Sequence, residues 1–318
     1  MLRKFAYNKI FRTTGMLFLL LFLLLFPASK KYSLEEKNIK TSYIENKTEV
    51  YLLDKKGYVA RCMIDMVKEN NEDYAKKIVE LLIIEGKYEQ KIPNGFKGIL
   101  PNDIKINNVK IEKENIYIDL SKEFYELSSE NEIKTIELLT YNLINIDNIK
   151  NVYLKIDGKL LDYLPNSKKN ITQPFTKDDG VNKKVEVTNY KDVNSTTVYY
   201  ISKNNNSFYY VPVTKTSNDK REKIKIIIDE LASSYIYETN LMSFLNYNVK
   251  LLDYRQEDDV LHLNFNNYLF DNVSSKNILE EVVYSISLSV RDNYDVNTVV
   301  FNVEGEEILK SVIKNIEN

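Results

Sequence analysis

Leu100 to Tyr125 reads LPNDIKINNVKIEKENIYIDLSKEFY, and Leu245 to Phe270 reads LNYNVKLLDYRQEDDVLHLNFNNYLF, the same pattern written twice at an offset of 145 residues without a gap. Leu100 falls on Leu245, Ile104 on Val249, Lys105 on Lys250, Ile106 on Leu251, Ile116 on Leu261, Ile118 on Leu263 and Leu120 on Phe265. Apolar type is kept while the exact residue drifts, as expected of a duplicated domain whose core must be filled. The period is too long for a solenoid repeat. It suits a chain of 318 residues with room for about two domains of roughly 150 residues each.

Outward from that stretch, the first unit opens with an apolar, β-prone run, Glu49-Val50-Tyr51-Leu52-Leu53, closed by a turn at Asp54-Lys55-Lys56-Gly57. A helix is expected from Asp73 to Glu85, stopped at Gly86. Strands follow at Ile104 to Ile111 and Ile116 to Leu120, where Ile116, Ile118 and Leu120 alternate with Tyr117 and Asp119. A second helix from Asn131 to Ile144 and a strand from Val152 to Ile156 complete the unit at Asp157-Gly158. The second unit repeats the order: strand Val198 to Ile201, helix Glu222 to Ala232, strands Val249 to Asp253 and Val260 to Phe265, helix Ile278 to Val290, strand Thr298 to Val303. Each helix shows one apolar stripe and needs one sheet face to bury it. The expected class is therefore α+β, two tandem β-α-β-β-α-β two-layer sandwiches after an N-terminal hydrophobic helix.

That hydrophobic segment is Gly15 to Ala28, GMLFLLLFLLLFPA, preceded by Arg3, Lys4, Lys9 and Arg12 and followed by Lys30 and Lys31. Its fourteen residues span about 21 Å as a helix, short of a hydrocarbon core of roughly 30 Å, which favours a signal peptide. Phe26 or Pro27 would occupy the −3 position of a cut after Ala28 or Ser29, which favours an uncleaved anchor completed by Phe11 to Thr14. Either way the basic end stays cytoplasmic and the rest is exported. The expected organisation is 1–29 signal peptide or signal anchor, 30–46 spacer, 47–164 first domain, 165–195 polar linker and 196–312 second domain.

Composition narrows the chemistry. A net charge of −2 with interspersed Lys and Asp/Glu offers no basic face for nucleic acid. One cysteine, Cys62, excludes an intramolecular disulfide, and one histidine, His262, excludes sites needing two imidazoles. His262, between Leu261 and Leu263 in a strand, is expected on the face away from the core, where Tyr117 stands in the first unit. Cys62 reads as a partly buried thiol, and Glu257-Asp258-Asp259 as a solvated turn that lacks calcium-loop spacing. No catalytic, cofactor or metal residues are expected.

The succession Leu81-Leu82, Glu85-Gly86, Ile99-Leu100-Pro101, Asp119-Leu120-Ser121, Phe124 and Asp157-Gly158-Lys159 resembles the GerM domain family of spore germination proteins. In the second unit Leu-Pro becomes Leu245-Asn246, Asp-Leu-Ser becomes Asn264-Phe265-Asn266 and Glu-Gly is lost at Ala232-Ser233. The resemblance implies ring-building-motif-like domains, with Glu85, Gly86, Leu100, Pro101, Asp119, Leu120, Ser121 and Gly158 as family-motif positions serving structure or partner contact. It also implies an extracytoplasmic sporulation protein that assembles or positions an envelope complex between mother cell and forespore, without catalysing a reaction. Its expected partners are envelope or sporulation-channel proteins, with self-association also open. The lipid-attachment cysteine usual in the family is absent, so residues 15–28 would hold the membrane. A competing reading is an exported module for cell-wall glycan, stacking sugars on tyrosines such as Tyr199, Tyr200, Tyr209 and Tyr210. An envelope hydrolase is disfavoured by the single histidine.

Overall fold

A computed structural model describes residues 36–38, 47–67, 70–233 and 240–313. The Gly15 to Ala28 segment, and with it the choice between anchor and signal, lies outside the described residues. Strand β1 (Glu36–Asn38) is followed by β2 (Lys47–Asp54), β3 (Val59–Asp65), α1 (Asn71–Leu81), β4 (Phe96–Lys97), β5 (Ile106–Glu112), β6 (Asn115–Leu120), α2 (Ser129–Leu143), β7 (Asn151–Ile156) and β8 (Lys159–Leu160). The connection carries β9 (Tyr163–Leu164), β10 (Lys169–Asn170) and β11 (Lys184–Glu186). The second unit comprises β12 (Asn194–Asn204), β13 (Ser207–Ser217), α3 (Lys223–Ala232), β14 (Leu251–Glu257), β15 (Val260–Phe265), α4 (Glu280–Asn293), β16 (Thr298–Val303) and β17 (Glu306–Val312).

The duplicated stretch forms the same structure twice. In β6, Ile116, Ile118 and Leu120 are fully buried and alternate with half-buried neighbours, the period of a strand with one face on the core. β6 pairs antiparallel with β5 and parallel with β7, Ile116 opposite Val152 and Leu120 opposite Ile156. β15 likewise pairs with β14 and β16. Parallel neighbours need a crossover, and α2 and α4 supply it. The side chain of Asn70 accepts from the Asp73 amide at the start of α1, and Ser128 from Asn131 at the start of α2, engaging donors the first turn leaves free. Helix α1 stops at Leu81, short of the expected Glu85. The Leu82 carbonyl accepts from the amides of both Ile99 and Leu100, and the Ile84 amide donates to Leu100. That pairing with the Leu-Pro segment withdraws these groups from the helix.

The opening strand of each unit does something the pattern did not reveal. β2 turns back into β3, and β12 into β13, and neither hairpin joins its unit's main sheet. Instead β13 lies antiparallel to β3 at Tyr210 and Arg61, so both hairpins share one central sheet. The main sheets keep the orders β5-β6-β7-β8 and β1-β17-β16-β15-β14. Helix α2 packs on β2 and β3 as well as β7, and α4 packs on β12. Consequently Glu137 to Leu143 and Ser285 to Val290 are unbroken buried runs. The second helix of each unit is covered on more than the one face its stripe announced. Thr140, Ser285, Ser287 and Ser289 occupy that extra buried surface, and their hydroxyls make it look solvated in sequence.

The polar segment between the units is also closely engaged. Phe175 and Val181 are buried, and Phe175 and Val152 exchange backbone hydrogen bonds of 2.9 Å. The Gln173 amide brackets Leu154, accepting from its N–H at 2.7 Å and donating to its carbonyl at 2.9 Å. The amides of Asn166 and Ser167 donate to the buried Glu132 carboxylate. Polarity that reads as solvent-facing here satisfies backbone and carboxylate groups at the edge of a core. The two cores interlock as well: Tyr199 and Leu288 of the second unit pack in the first unit's cluster, and Ala60 of the first packs in the second's.

Candidate functional site

The family-motif residues fall into two separate groups. At the end of α1, Glu85 adopts φ of 54°, and a side chain on Gly86 would meet the Ile83 carbonyl at 2.8 Å. Leu100 is fully buried there, and the Pro101 carbonyl accepts from Ile104. At the far end of β6, the Asp119 carboxylate accepts from the Gly158 amide at 3.0 Å. Leu120 fills the core, and the Ser121 hydroxyl accepts from the Lys105 amide at 2.8 Å. The second unit keeps these roles with other residues: Asn264 accepts from the Gly305 amide at 2.9 Å, and Asn266 from the Lys250 amide at 3.1 Å. Both copies therefore use a side-chain oxygen to brace the same turn and the same strand pair.

The other singled-out positions are equally engaged. His262 is largely covered, its Nε2 3.6 Å from a Glu257 oxygen. Cys62 is buried, and that burial pushes its thiol up beyond the ordinary cysteine range. Asp258 and Asp259 form the turn between β14 and β15, and Asp259 accepts from the backbone and side-chain amides of Asn297. Among the described residues no group of three His, Cys, Asp or Glu side chains could hold a metal ion. The four tyrosines proposed as a sugar-stacking surface do not form one. Tyr199 and Tyr200 are buried, with their hydroxyls donating to Asp292 and Glu230. Tyr209 donates to Asp54, and Tyr210 stacks on Tyr284. Strand β12 is covered on both faces, which places Tyr199 and Tyr200 in the interior, while Tyr209 and Tyr210 are half-buried.

Between the units lies a polar cluster that the sequence reading missed. Glu49 on β2 sits between two arginines: Arg61 Nε on β3 at 2.8 Å, and Arg291 on α4, whose two terminal nitrogens donate at 3.0 and 2.9 Å. Asp292 accepts from Lys177 Nζ at 2.7 Å and from the Tyr199 hydroxyl at 2.7 Å. The Tyr51 and Tyr199 hydroxyls meet at 2.7 Å. The Tyr51 hydroxyl also donates to Glu49 at 3.1 Å and accepts from Arg291 at 3.1 Å. Asn182 of the connection accepts from the Val59 amide and donates to the carbonyls of Val59 and Pro212, tying β3 to β13.

The electrostatics follow from that enclosure. Burial alone would raise the Glu49 carboxyl, but the charges of Arg291 and Arg61 outweigh it and hold the group well below the usual carboxylate range. Asp292 is lowered in the same way, Lys177 and Arg291 overcoming burial. Burial pushes the hydroxyls of Tyr51 and Tyr199 up, so both rings stay neutral. The cluster is fully charged, internally paired and closed. Its chemistry is that of a joint. The signal in sequence was Arg61 inside the apolar run Val59 to Ile64, and Arg291-Asp292 at the end of an apolar helix; charges in such places are buried only when partnered. An open groove of about 630 Å³ beside the first hairpin is lined by Asp54, Lys55, Lys56, Lys97, Glu130 and Lys134. Asp54 accepts there from Tyr209 and two backbone amides, and Lys56 and Lys134 also have partners.

These features define a class: a tandem of α+β modules whose buried ionic groups are engaged in joining one module to the other. The chain belongs to the Germane family, described as sporulation and spore germination, whose model matches residues 49–162 and 197–309. It is 34% identical over 269 residues to the spore germination protein GerM of Bacillus subtilis strain 168, a match covering 82% of this chain and 72% of that protein. The solved tandem GerMN domains of the sporulation protein GerM from Bacillus subtilis superpose with a TM-score of 0.75 at 32% identity, covering 83% of this chain and 93% of that one. The GerM resemblance and the tandem α+β class read from the motifs are thereby established.

Proposed function

We propose that this chain is an exported, membrane-tethered sporulation protein that takes no part in covalent chemistry and assembles or positions an envelope complex between mother cell and forespore. The observation that carries the proposal is the family match across both units, joined to the fate of the buried charges. Glu49, Arg61, Arg291, Asp292 and Lys177 are paired with one another, so the groups best shielded from water serve geometry. Residues 15–28 provide the tether, and envelope or channel proteins are the partners, with self-association as a further mode. The glycan-binding reading loses Tyr199 and Tyr200 to the interior.

Deleting the gene in the native host is expected to lower the yield of heat-resistant spores, and reintroducing the gene to restore it. An unchanged yield would remove the sporulation role. Strong, saturable retention of residues 36–318 on purified peptidoglycan would move the protein into the glycan-binding class instead.

A further inference from the structure

The seam between the units is built from the same surface of both. The family matches begin at Glu49 and Thr197, an offset that places Tyr51 on Tyr199, and these two hydroxyls are the ones in contact at 2.7 Å. A second mark agrees. The Tyr51 amide donates to Asn142 on α2 and the Tyr199 amide to Ser289 on α4. Asn142 and Ser289 are themselves counterparts at the offset of 147 that relates Val152 to Val299. The second strands of the two hairpins, β3 and β13, run antiparallel where they meet. Equivalent atoms in contact and equivalent strands antiparallel are the signature of an isologous, twofold interface.

The charges break that symmetry. Glu49 corresponds to Thr197, and Arg291 corresponds to Ile144. If two first units paired through this surface, Glu49 would meet Ile144 and keep only Arg61. If two second units paired, Arg291 would face Thr197 and keep only Asp292 of its own unit. Each like pairing loses the two-nitrogen contact between Arg291 and Glu49 and leaves those buried hydrogen-bonding atoms facing an apolar or hydroxyl side chain, which is disfavoured. The geometry points to a duplicated self-interface in which the Arg61–Glu49–Arg291 triad restricts the first unit to pairing with the second. The hairpin surface is thereby closed within one chain, and contacts with other molecules fall to the outer sheets.

The test uses residues 36–318, which contain both cores. Spin labels at Lys110→Cys and Arg255→Cys, exposed positions on β5 and β14, report the distance between units, while native Cys62 is buried and stays unlabelled. The native chain is expected to be a monomer by light scattering, with one narrow distance. Glu49→Thr with Arg61→Leu and Arg291→Ile makes the seam symmetric, and is expected to broaden the distances and produce a dimer fraction that grows with concentration. Glu49→Gln, which keeps the shape and removes the complementarity, is expected to shift the same readouts in the same direction. A broad native distribution would overturn the inference. So would native-like distance and mass in either variant that retains a cooperative unfolding transition. Spore yield plays no part in these readouts, so the inference and the proposed function can fail separately.

Discussion

Glu49 is the residue on which the joint turns. Removing one member of a buried ion pair leaves its partners uncompensated, so Glu49→Gln should cost about 3–5 kcal/mol at neutral pH. The pH dependence follows from the lowered carboxyl. A folded value below an unfolded one of about 4.3 means that the unfolded chain takes up the proton first as pH falls. The stabilisation is complete above that pH and is lost on acidification through the folded value, with Asp292 acting in the same sense. The thermal midpoint of residues 36–318 should therefore be insensitive to this carboxylate from pH 7 to about 5 and then fall, more steeply for the native chain than for Glu49→Gln. Parallel acid limbs would show that Glu49 is not held ionised in the fold.

At the scale of elements, the family motif is a set of braces. Gly158 has φ of 80°, and a Cβ there meets nothing within 4 Å. Gly158→Ala should thus cost about 1 kcal/mol through backbone conformation alone. Asp119→Ala removes the acceptor of the Gly158 amide and should cost about 0.5–1.5 kcal/mol. Asp119→Asn, the residue found at Asn264 in the second unit, should be nearly neutral in urea midpoint; a loss equal to that of Ala would assign the carboxylate a further role. The strand edges are similarly managed. Asn142 covers the N–H and C=O of Tyr51, Asn293 those of Thr197, and Glu72 accepts from Ile111 on the edge strand β5. Plugged edges do not recruit further strands. Strands with one wet face, β6 and β15, were legible because their alternation survives. Strands β3 and β13 were not. In β3 both faces are covered, and buried Arg61 and Cys62 interrupt its pattern.

For the whole molecule, the interlocked cores and the ion triad predict one cooperative unit. Urea unfolding of residues 36–318, followed by fluorescent labels at Lys110→Cys in the first unit and Arg255→Cys in the second, should give coincident transitions. Two separated midpoints would show that the units hold independently. Some of this was written in the chain alone: the duplication, the α+β class, the two helices of each unit with the strand pair between them, and the family. Those properties rest on local periodicity and on apolar type at fixed spacing, which a linear pattern records directly. Only the tertiary structure decided that the opening hairpins leave their own sheets and meet at Tyr51 and Tyr199. It alone decided that a polar connection packs against both units and that Glu49 finds Arg291 across the joint. Such pairings join residues up to 242 positions apart, and a charge carries no mark in sequence of the partner that makes its burial affordable.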